Sequence, residues 1–364
     1  MVSPDRRIRS HVLSMEPYQP ILPFEVLSEQ LGRPTSEIIK LDANENPYGP
    51  PKQVRQALCD LEHIHIYPDP ESRLLRQALS RHHQIPMENI MAGAGADELI
   101  DLIFRLLIDP GDTVLSCPPT FGMYSFDSFL NRANLVEVPR KPDFRLDLPN
   151  IFEQVENHQP KVMFLANPNN PDGSLLNQAE LDAVLDLPLI FVLDEAYIEF
   201  ADEKASLLRE CPARENLIVL RTFSKWAGLA GLRVGYGFFP LSLIQHLWKI
   251  KQPYNVSVAA GQAALAALEA SDELERVCNL IRGERERLMK SLESISYLKP
   301  HPSEANFILC RVTGGSAMKL KEGLAEAGIL VRYFNKPGLS DHIRISIGRP
   351  EENDMLMTKL KGWQ

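Results

Sequence analysis

Short apolar runs alternate, through the middle of the chain, with longer stretches whose apolar positions recur every three or four residues. Thr113–Cys117, Leu135–Val138, Val162–Ala166, Ile190–Leu193 and Ile218–Leu220 are runs of the first kind, and each gives way to a turn or helix signal. Strands that are apolar throughout are buried on both faces, so this alternation predicts a parallel sheet covered by helices on either side. Helical spacing is clear at Glu71–His83, where Leu74, Leu75, Ala78 and Leu79 share a face. It recurs from Gly95 to Ile108, where Leu99, Ile100, Ile103, Leu106 and Leu107 form a wide apolar stripe.

The two ends of the chain follow other patterns. Pro4, Pro17, Pro20, Pro23, Pro34, Pro47, Pro50 and Pro51 crowd the first fifty residues. Each restricts itself and its predecessor to extended backbone, which predicts an irregular arm with one short helix, Pro23–Leu31, lying over another domain or subunit. After Val256 the spacing predicts long helices at Val258–Ala270 and Glu273–Leu292, then strands Asn306–Val312 and Ile343–Ile347 flanking a helix at Lys319–Ala327. The expected organisation is therefore an arm (1–45), a large α/β domain (46–255) and a smaller α+β domain (256–364).

Composition removes several classes of function. Hydrophobic residues make up 44% and charged residues 24%, with 39 Lys+Arg against 48 Asp+Glu and a formal net charge of -9. No basic block runs along the chain, which argues against a nucleic-acid partner. No apolar run approaches the roughly 18 residues of a membrane span. Arg6, Arg7 and Arg9 precede no apolar stretch, so no secretory signal is expected and the compartment is read as cytoplasmic. The five cysteines form no CxxC pair and read as packing residues. His63 and His65 are spaced for one face of a strand but have no third ligand nearby, so no metal site is expected. His82 and His83 close a helix, where they suit its dipole, and the charges around Arg282–Arg287 read as a solvated face.

The chemistry should sit just beyond the carboxyl ends of the strands, where ligands bind in open parallel sheets. Asn167–Pro–Asn–Asn–Pro171 follows one strand, Asp194–Glu–Ala–Tyr197 the next, and Arg221–Thr–Phe–Ser–Lys225 the third. A charge at the end of a wholly apolar strand, such as Asp194, is costly unless a partner meets it. Lys225 follows the hydroxyls of Thr222 and Ser224 and precedes a glycine-rich run that contains Arg233, which suits an amine beside a bound phosphate. Lysine, aspartate and a phosphate cradle together point to pyridoxal phosphate chemistry. The lysine would join the aldehyde and the aspartate would keep the ring nitrogen protonated, with Tyr197 and Asn170 near the ring hydroxyl. Backbone N–H groups opening the helix at Gly95–Ala96–Asp97 would hold the phosphate.

These residues belong to a longer ordered set. It comprises Lys40–Leu–Asp–Ala–Asn–Glu–Asn–Pro–Tyr–Gly–Pro50, Tyr67–Pro68, Gly95–Ala–Asp–Glu98, Pro119–Thr–Phe–Gly–Met–Tyr124 and Asn167–Pro–Asn–Asn–Pro171. Asp194–Glu–Ala–Tyr–Ile–Glu–Phe200, Arg221–Thr–Phe–Ser–Lys225, Gly228–Leu–Ala–Gly–Leu–Arg233, Pro253–Tyr–Asn–Val256, Ser303–Glu–Ala–Asn–Phe–Ile308 and Arg344–Ile–Ser–Ile–Gly348 complete it. The chain thereby resembles the fold-type I pyridoxal-phosphate-dependent aminotransferases, and within them the histidinol-phosphate aminotransferase family.

That resemblance implies a large, mostly parallel seven-stranded sheet sandwiched by helices, with a smaller α+β domain. It implies a homodimer with shared active sites and a ping-pong transamination between L-histidinol phosphate with 2-oxoglutarate and imidazole-acetol phosphate with L-glutamate. Lys225 would be the Schiff-base lysine and Asp194 the partner of the ring nitrogen, while Asn170 and Tyr197 would meet the ring oxygen. Tyr124 would stack on the ring. Ala96, Asp97, Thr222, Ser224 and Arg233 would hold the phosphate, with Tyr67 reaching it from the neighbouring subunit. Arg344 would clamp the substrate anion, helped by Arg332, Tyr18 and Asn44. Within the same fold, an aromatic or broad-specificity aminotransferase and a threonine-phosphate decarboxylase remain as alternatives. A non-catalytic binding module is the remaining alternative, but the arm offers no DNA-binding helices. Asp172 stands where relatives have threonine and should still cap its turn. Ala96 replaces a common serine, which leaves backbone N–H groups to hold the phosphate.

Overall fold

The apolar runs pair much as their pattern requires. The computed structural model describes residues 7–17 and 22–363. Among them are twelve strands: β1 (Ile39–Leu41), β2 (Ile90–Gly93), β3 (Thr113–Ser116), β4 (Asn134–Glu137), β5 (Val162–Ala166), β6 (Ile190–Asp194), β7 (Leu217–Thr222), β8 (Gly235–Phe238), β9 (Leu298–Pro300), β10 (Phe307–Val312), β11 (Ile329–Tyr333) and β12 (His342–Ser346). Seven form one sheet in the order β2-β8-β7-β6-β5-β3-β4. Its pairs from β7 to β4 are parallel, and β8 runs antiparallel to both of its neighbours.

Burial explains why the central strands read as unbroken apolar runs. Every residue of β5 and β7 is buried, and successive side chains enter opposite layers. Met163, Leu165, Phe191, Leu193 and Val219 join one core cluster, while Val162, Phe164, Val192, Ile218 and Leu220 join the other. Helix Ala96–Leu107 buries Leu99, Ile100, Leu102, Ile103 and Phe104 against the second face. No helix among the described residues is long and apolar enough to cross a membrane.

The second sheet has the order β1-β11-β12-β10-β9. Its edge strand β1 comes from the proline-rich arm, expected to be irregular there, and pairs in parallel with β11. The expected arm helix is present at Phe24–Leu31. The solvated face expected around Arg282–Arg287 is corrected: Glu284 and Arg285 are buried within helix Ser271–Glu293. Arg285 spends its donors on the carbonyls of Phe200 and Ala305 and on Glu304, which explains its burial. His83 departs from expectation as well. It is buried and hydrogen-bonded to the Tyr236 hydroxyl at 3.0 Å instead of facing the end of its helix.

Two glycines let β8 pass beneath the start of helix Ala96–Leu107. Gly95 has φ +87°, and a Cβ on Gly235 would lie 2.6 Å from the Ala96 nitrogen and 2.7 Å from the Gly95 carbonyl carbon. Both obstacles are backbone and cannot swing aside. Gly235→Ala is therefore expected to cost about 1–3 kcal/mol of overpacking, read as a lowered thermal unfolding midpoint. Gly261→Ala, in a helix with nothing within 4 Å of the new methyl, should hold or raise it.

Candidate active site

Two parallel strands, β5 and β6, end level, and β7 beside them runs two residues farther. Ala166 lies beside Asp194 and Asp194 beside Leu220 in the register, so the segments leaving β5, β6 and β7 emerge together at one edge of the sheet. Asn170, Asp194, Tyr197, Thr222, Ser224 and Lys225 line one cavity there, joined by Ala96, Asp97 and Arg233 from the neighbouring turns.

Asp194 closes β6 and is 5% exposed. Its Oδ1 accepts the Ala196 N–H at 3.1 Å and its Oδ2 accepts the Tyr124 hydroxyl at 2.8 Å. Burial raises its pKa to about 6, against the pull of those two hydrogen bonds. Tyr197 is 6% exposed, and its hydroxyl accepts from Asn44 Nδ2 at 3.1 Å and Asn170 Nδ2 at 3.5 Å. Burial pushes this phenol up, opposed by the charge of Arg344 and the Asn44 hydrogen bond.

Lys225 sits in the turn after β7, with its Nζ donating to the Ala43 carbonyl at 3.1 Å. Desolvation, aided by the nearby charge of Arg344, lowers its pKa to about 8. A larger fraction of neutral amine makes a better nucleophile at ordinary pH. Beside it, Thr222 Oγ1 donates to Ser224 Oγ at 2.9 Å, and Arg233 donates to the same Ser224 oxygen at 3.4 Å and to Asp97 Oδ2 at 3.0 Å.

The geometry matches pyridoxal phosphate at each end. Helix Ala96–Leu107 has no side-chain cap on its first turn, leaving open N–H donors that favour an anion. The hydroxyls of Thr222 and Ser224 and the Arg233 guanidinium gather at the same place. Gly95 suits the turn there because its φ of +87° lies in a region that L side chains rarely adopt. A phosphate at this end, an aldehyde near Lys225 and a ring nitrogen facing Asp194 would each meet the complementary group.

Arg344 Nη1 donates to Oδ1 of the cavity-lining Asn170 at 2.6 Å and Nη2 to the Asp42 carbonyl at 2.8 Å. Arg332 lies directly across from it in the β11–β12 register. Both guanidiniums lie over Phe334, at 5.7 Å for Arg332 and 5.6 Å for Arg344. Among the described residues Arg332 has no carboxylate partner. Two adjacent guanidiniums form a ready receptor for a carboxylate or phosphate.

Several expectations need correction. Tyr124, expected on the ring face, has no exposed surface and lies behind Asp194. Of these two aromatics it is Phe121 that lines the cavity. Phe121 precedes helix Met123–Leu130 whereas Tyr124 is inside its first turn and faces the core, so the helix start was the signal that distinguishes them. Asn44 stands behind Tyr197 and is 1% exposed; it holds that hydroxyl instead of facing the cavity. Tyr67 is 79% exposed and stacked on Tyr254 at 4.6 Å, away from this chain's own cavity. Tyr18 lies outside the described residues. Asp172 does cap its turn, accepting the Ser174 N–H at 2.9 Å. Sequence reasoning passed over Glu195, which is wholly buried and accepts Arg221 Nε at 3.0 Å and Nη2 at 2.8 Å, bracing the loop after β6 against β7. Among the described residues, no group of three or more His, Cys, Asp or Glu side chains is arranged to hold a metal ion.

A half-buried, desolvated amine and a buried carboxylate in one cavity, with an anion cradle at its end, define a carbonyl-cofactor transferase site. The chain belongs to the family described as aminotransferase class I and II, whose model matches residues 36–360. Within that family it is 55% identical to the chloroplastic histidinol-phosphate aminotransferase of Nicotiana tabacum, over 99% of this chain and 87% of the relative. It is 51% identical to the histidinol-phosphate aminotransferase of Roseiflexus castenholzii, over 97% of each. Among solved structures it resembles the histidinol-phosphate aminotransferase of Sinorhizobium meliloti in complex with pyridoxal-5′-phosphate. The TM-score is 0.89 at 31% identity, covering 98% of this chain and 97% of that one.

The desolvated amine makes a pH prediction. In the cofactor-free protein, capture of a small aldehyde at Lys225, trapped by reduction, should rise through pH 8 and level off above it, because the neutral amine is the reacting form. Arg344→Gln removes a repelling positive charge and should move that midpoint upward. A wild-type midpoint near the ordinary lysine value of about 10.5 would contradict the desolvated environment.

Proposed function

We propose that this chain is a pyridoxal-phosphate-dependent transaminase that interconverts L-histidinol phosphate plus 2-oxoglutarate with imidazole-acetol phosphate plus L-glutamate. The observation that carries this reading is the meeting of Lys225 and Asp194 in one cavity, to whose Asn170 wall Arg344 is hydrogen-bonded with Arg332 paired across from it. Relatives that are 51–55% identical and named histidinol-phosphate aminotransferase support the choice of substrate.

Pyridoxal phosphate, when bound, supplies an aldehyde that condenses with amines and a ring that accepts the electrons of a substrate carbanion. Ala96 and Asp97 N–H groups, Thr222, Ser224 and Arg233 would hold its phosphate. Asp194 would face its ring nitrogen, Asn170 and Tyr197 its ring oxygen, and Phe121 its face. Lys225 Nζ, with a pKa lowered to about 8 and hence a larger neutral fraction than an ordinary lysine, would take the proton from the substrate Cα and deliver it to the carbon that the aldehyde contributed. Asp194 presents fixed negative charge in a site that excludes water, where it acts more strongly than at the surface.

Arg344 and Arg332 receive the substrate's anion. Glutamate brings an α-carboxylate, whereas histidinol phosphate has a phosphate ester on the neighbouring carbon and no α-carboxylate. A guanidinium fork suits both, and the second cation adds most when the ligand is a dianion. Arg344→Gln is expected to lower kcat/KM for both amino donors by about 100-fold, the scale of a lost charge-assisted contact. Arg332→Gln should weaken histidinol phosphate more than glutamate. Half-reactions with a donor panel check this and the substrate together: phenylalanine converting the cofactor as fast as histidinol phosphate would defeat the specific assignment and leave the transaminase.

The working unit is read as a homodimer with shared sites. Tyr67 and Tyr254 form an exposed stack beside Ile64 and Ile66, which are 72% and 54% exposed. A grouped apolar surface of this kind marks an interaction site. Tyr67 would contact the neighbouring subunit's phosphate end. Tyr67→Ala and Lys225→Ala homodimers should both be impaired, and refolding the two together should restore activity through the hybrid site that carries both native residues. Sedimentation as a monomer at assay concentration would overturn the shared site.

A further inference from the structure

Asp194 is held by an unusually dry support. Tyr124, inside helix Met123–Leu130, reaches the sheet edge from below, and its hydroxyl donates to Asp194 Oδ2 at 2.8 Å. The Ala196 N–H takes the other oxygen, Oδ1, at 3.1 Å. With each oxygen anchored once, rotation of the carboxylate is fixed while lone pairs remain for a group in the cavity.

The Tyr124 ring is fixed as firmly. It stacks on Phe164 at 5.1 Å, and Phe164 stacks on Phe104 at 5.0 Å. Its other neighbour, Phe121, meets it edge to face at 5.7 Å and lines the cavity. One aromatic column thus runs from the helix that begins the anion cradle, through β5, to the floor beneath Asp194. No solvent reaches the phenol, so its hydroxyl has Asp194 to serve. An O–H donated to a carboxylate favours the ionised form, which burial alone opposes.

We propose that Tyr124 is a positioning residue that keeps the Asp194 carboxylate ionised and aimed at the ring nitrogen of the cofactor. This rests on the proposed pyridoxal phosphate site and extends it to a side chain that does not touch the cavity. Tyr124 acts through Asp194, so its effect should exist only for ligands with a ring nitrogen.

The experiment compares cofactor-free wild type and Tyr124→Phe, which keeps the ring and its stacking. Affinity is measured for pyridoxal 5′-phosphate and for its 1-deaza analogue, in which carbon replaces the ring nitrogen. Tyr124→Phe should bind pyridoxal phosphate about tenfold or more weakly and the analogue as wild type does. Carbon-13 NMR of labelled aspartate in the cofactor-free proteins should show the Asp194 carboxyl titrating near 6 in wild type and higher in Tyr124→Phe. Equal weakening toward both ligands would make Tyr124 a packing residue and overturn the proposal, as would unchanged affinity for both. Wild type that binds neither ligand would overturn the cofactor reading itself, a result distinguishable from the other two.

Discussion

The site depends on a register. β5, β6 and β7 run parallel, with Ala166, Asp194 and Leu220 side by side, so three loops of different sequence begin within two residues of one height. Parallel pairing is tolerated where both faces are covered, and the two apolar layers around these strands supply that cover. A slip of one residue in β6 would send Asp194 to the opposite face and bury Leu193 where the carboxylate now stands. Hydrophobic burial thus fixes the position of a charge, although the charge itself opposes burial.

That opposition sets the electrostatics. Desolvation moves the Lys225 amine and the Asp194 carboxyl toward their neutral forms, to about 8 and about 6. The first movement brings the amine's proton affinity nearer to the working pH, where proton transfer is most effective, while the second is restrained by the hydrogen bonds to the carboxylate. Neither charge is left alone. Asp194 has Tyr124 and the Ala196 N–H, and Lys225 has the Ala43 carbonyl. Beneath them the Glu195–Arg221 pair, with Ser206 bonded to both, secures the β6 loop against β7. A buried ion pair adds little net stability, and here it fixes the relative placement of the two loops that carry Tyr197 and Lys225.

Much of this was legible in the sequence because the same physics writes both. Central strands are apolar along most of their length, so β3, β5, β6 and β7 could be read within a residue or two. Their polar followers marked the cavity. β8 was not legible as a strand: Gly235–Phe238 contains two glycines, placed by the close approach of helix Ala96–Leu107 and by Phe239, and glycine argues against a strand. β1 was hidden among prolines, and its pairing with β11 joins positions almost three hundred residues apart. Phe121 and Tyr124 are both aromatic and three positions apart. Only the start of the helix decides which faces the cavity. Arg285 looked solvated because its partners are two backbone carbonyls and Glu304, a pairing that no local pattern announces.

The arm has a stronger part than its composition suggests. Immediately after β1, three consecutive residues each hold a different functional side chain. The Asp42 carbonyl accepts from Arg344, the Ala43 carbonyl accepts from Lys225, and Asn44 Nδ2 donates to the Tyr197 hydroxyl. Asn44 adopts a φ of 55°, a left-handed conformation that asparagine tolerates better than most residues. Its backbone is held by Ser346 and Asn306 of the smaller sheet, the N–H donating to Ser346 Oγ at 2.9 Å and the carbonyl accepting from Asn306 at 2.9 Å. The segment is therefore anchored to one sheet and contacts residues delivered by the other. Any displacement of the smaller sheet must be felt at Lys225 and Tyr197 through this short stretch of backbone. The proposed anion clamp and the proposed reacting amine are thus tied together by adjacent carbonyls, so the group proposed to recognise substrate and the group proposed to move its proton hold a common frame.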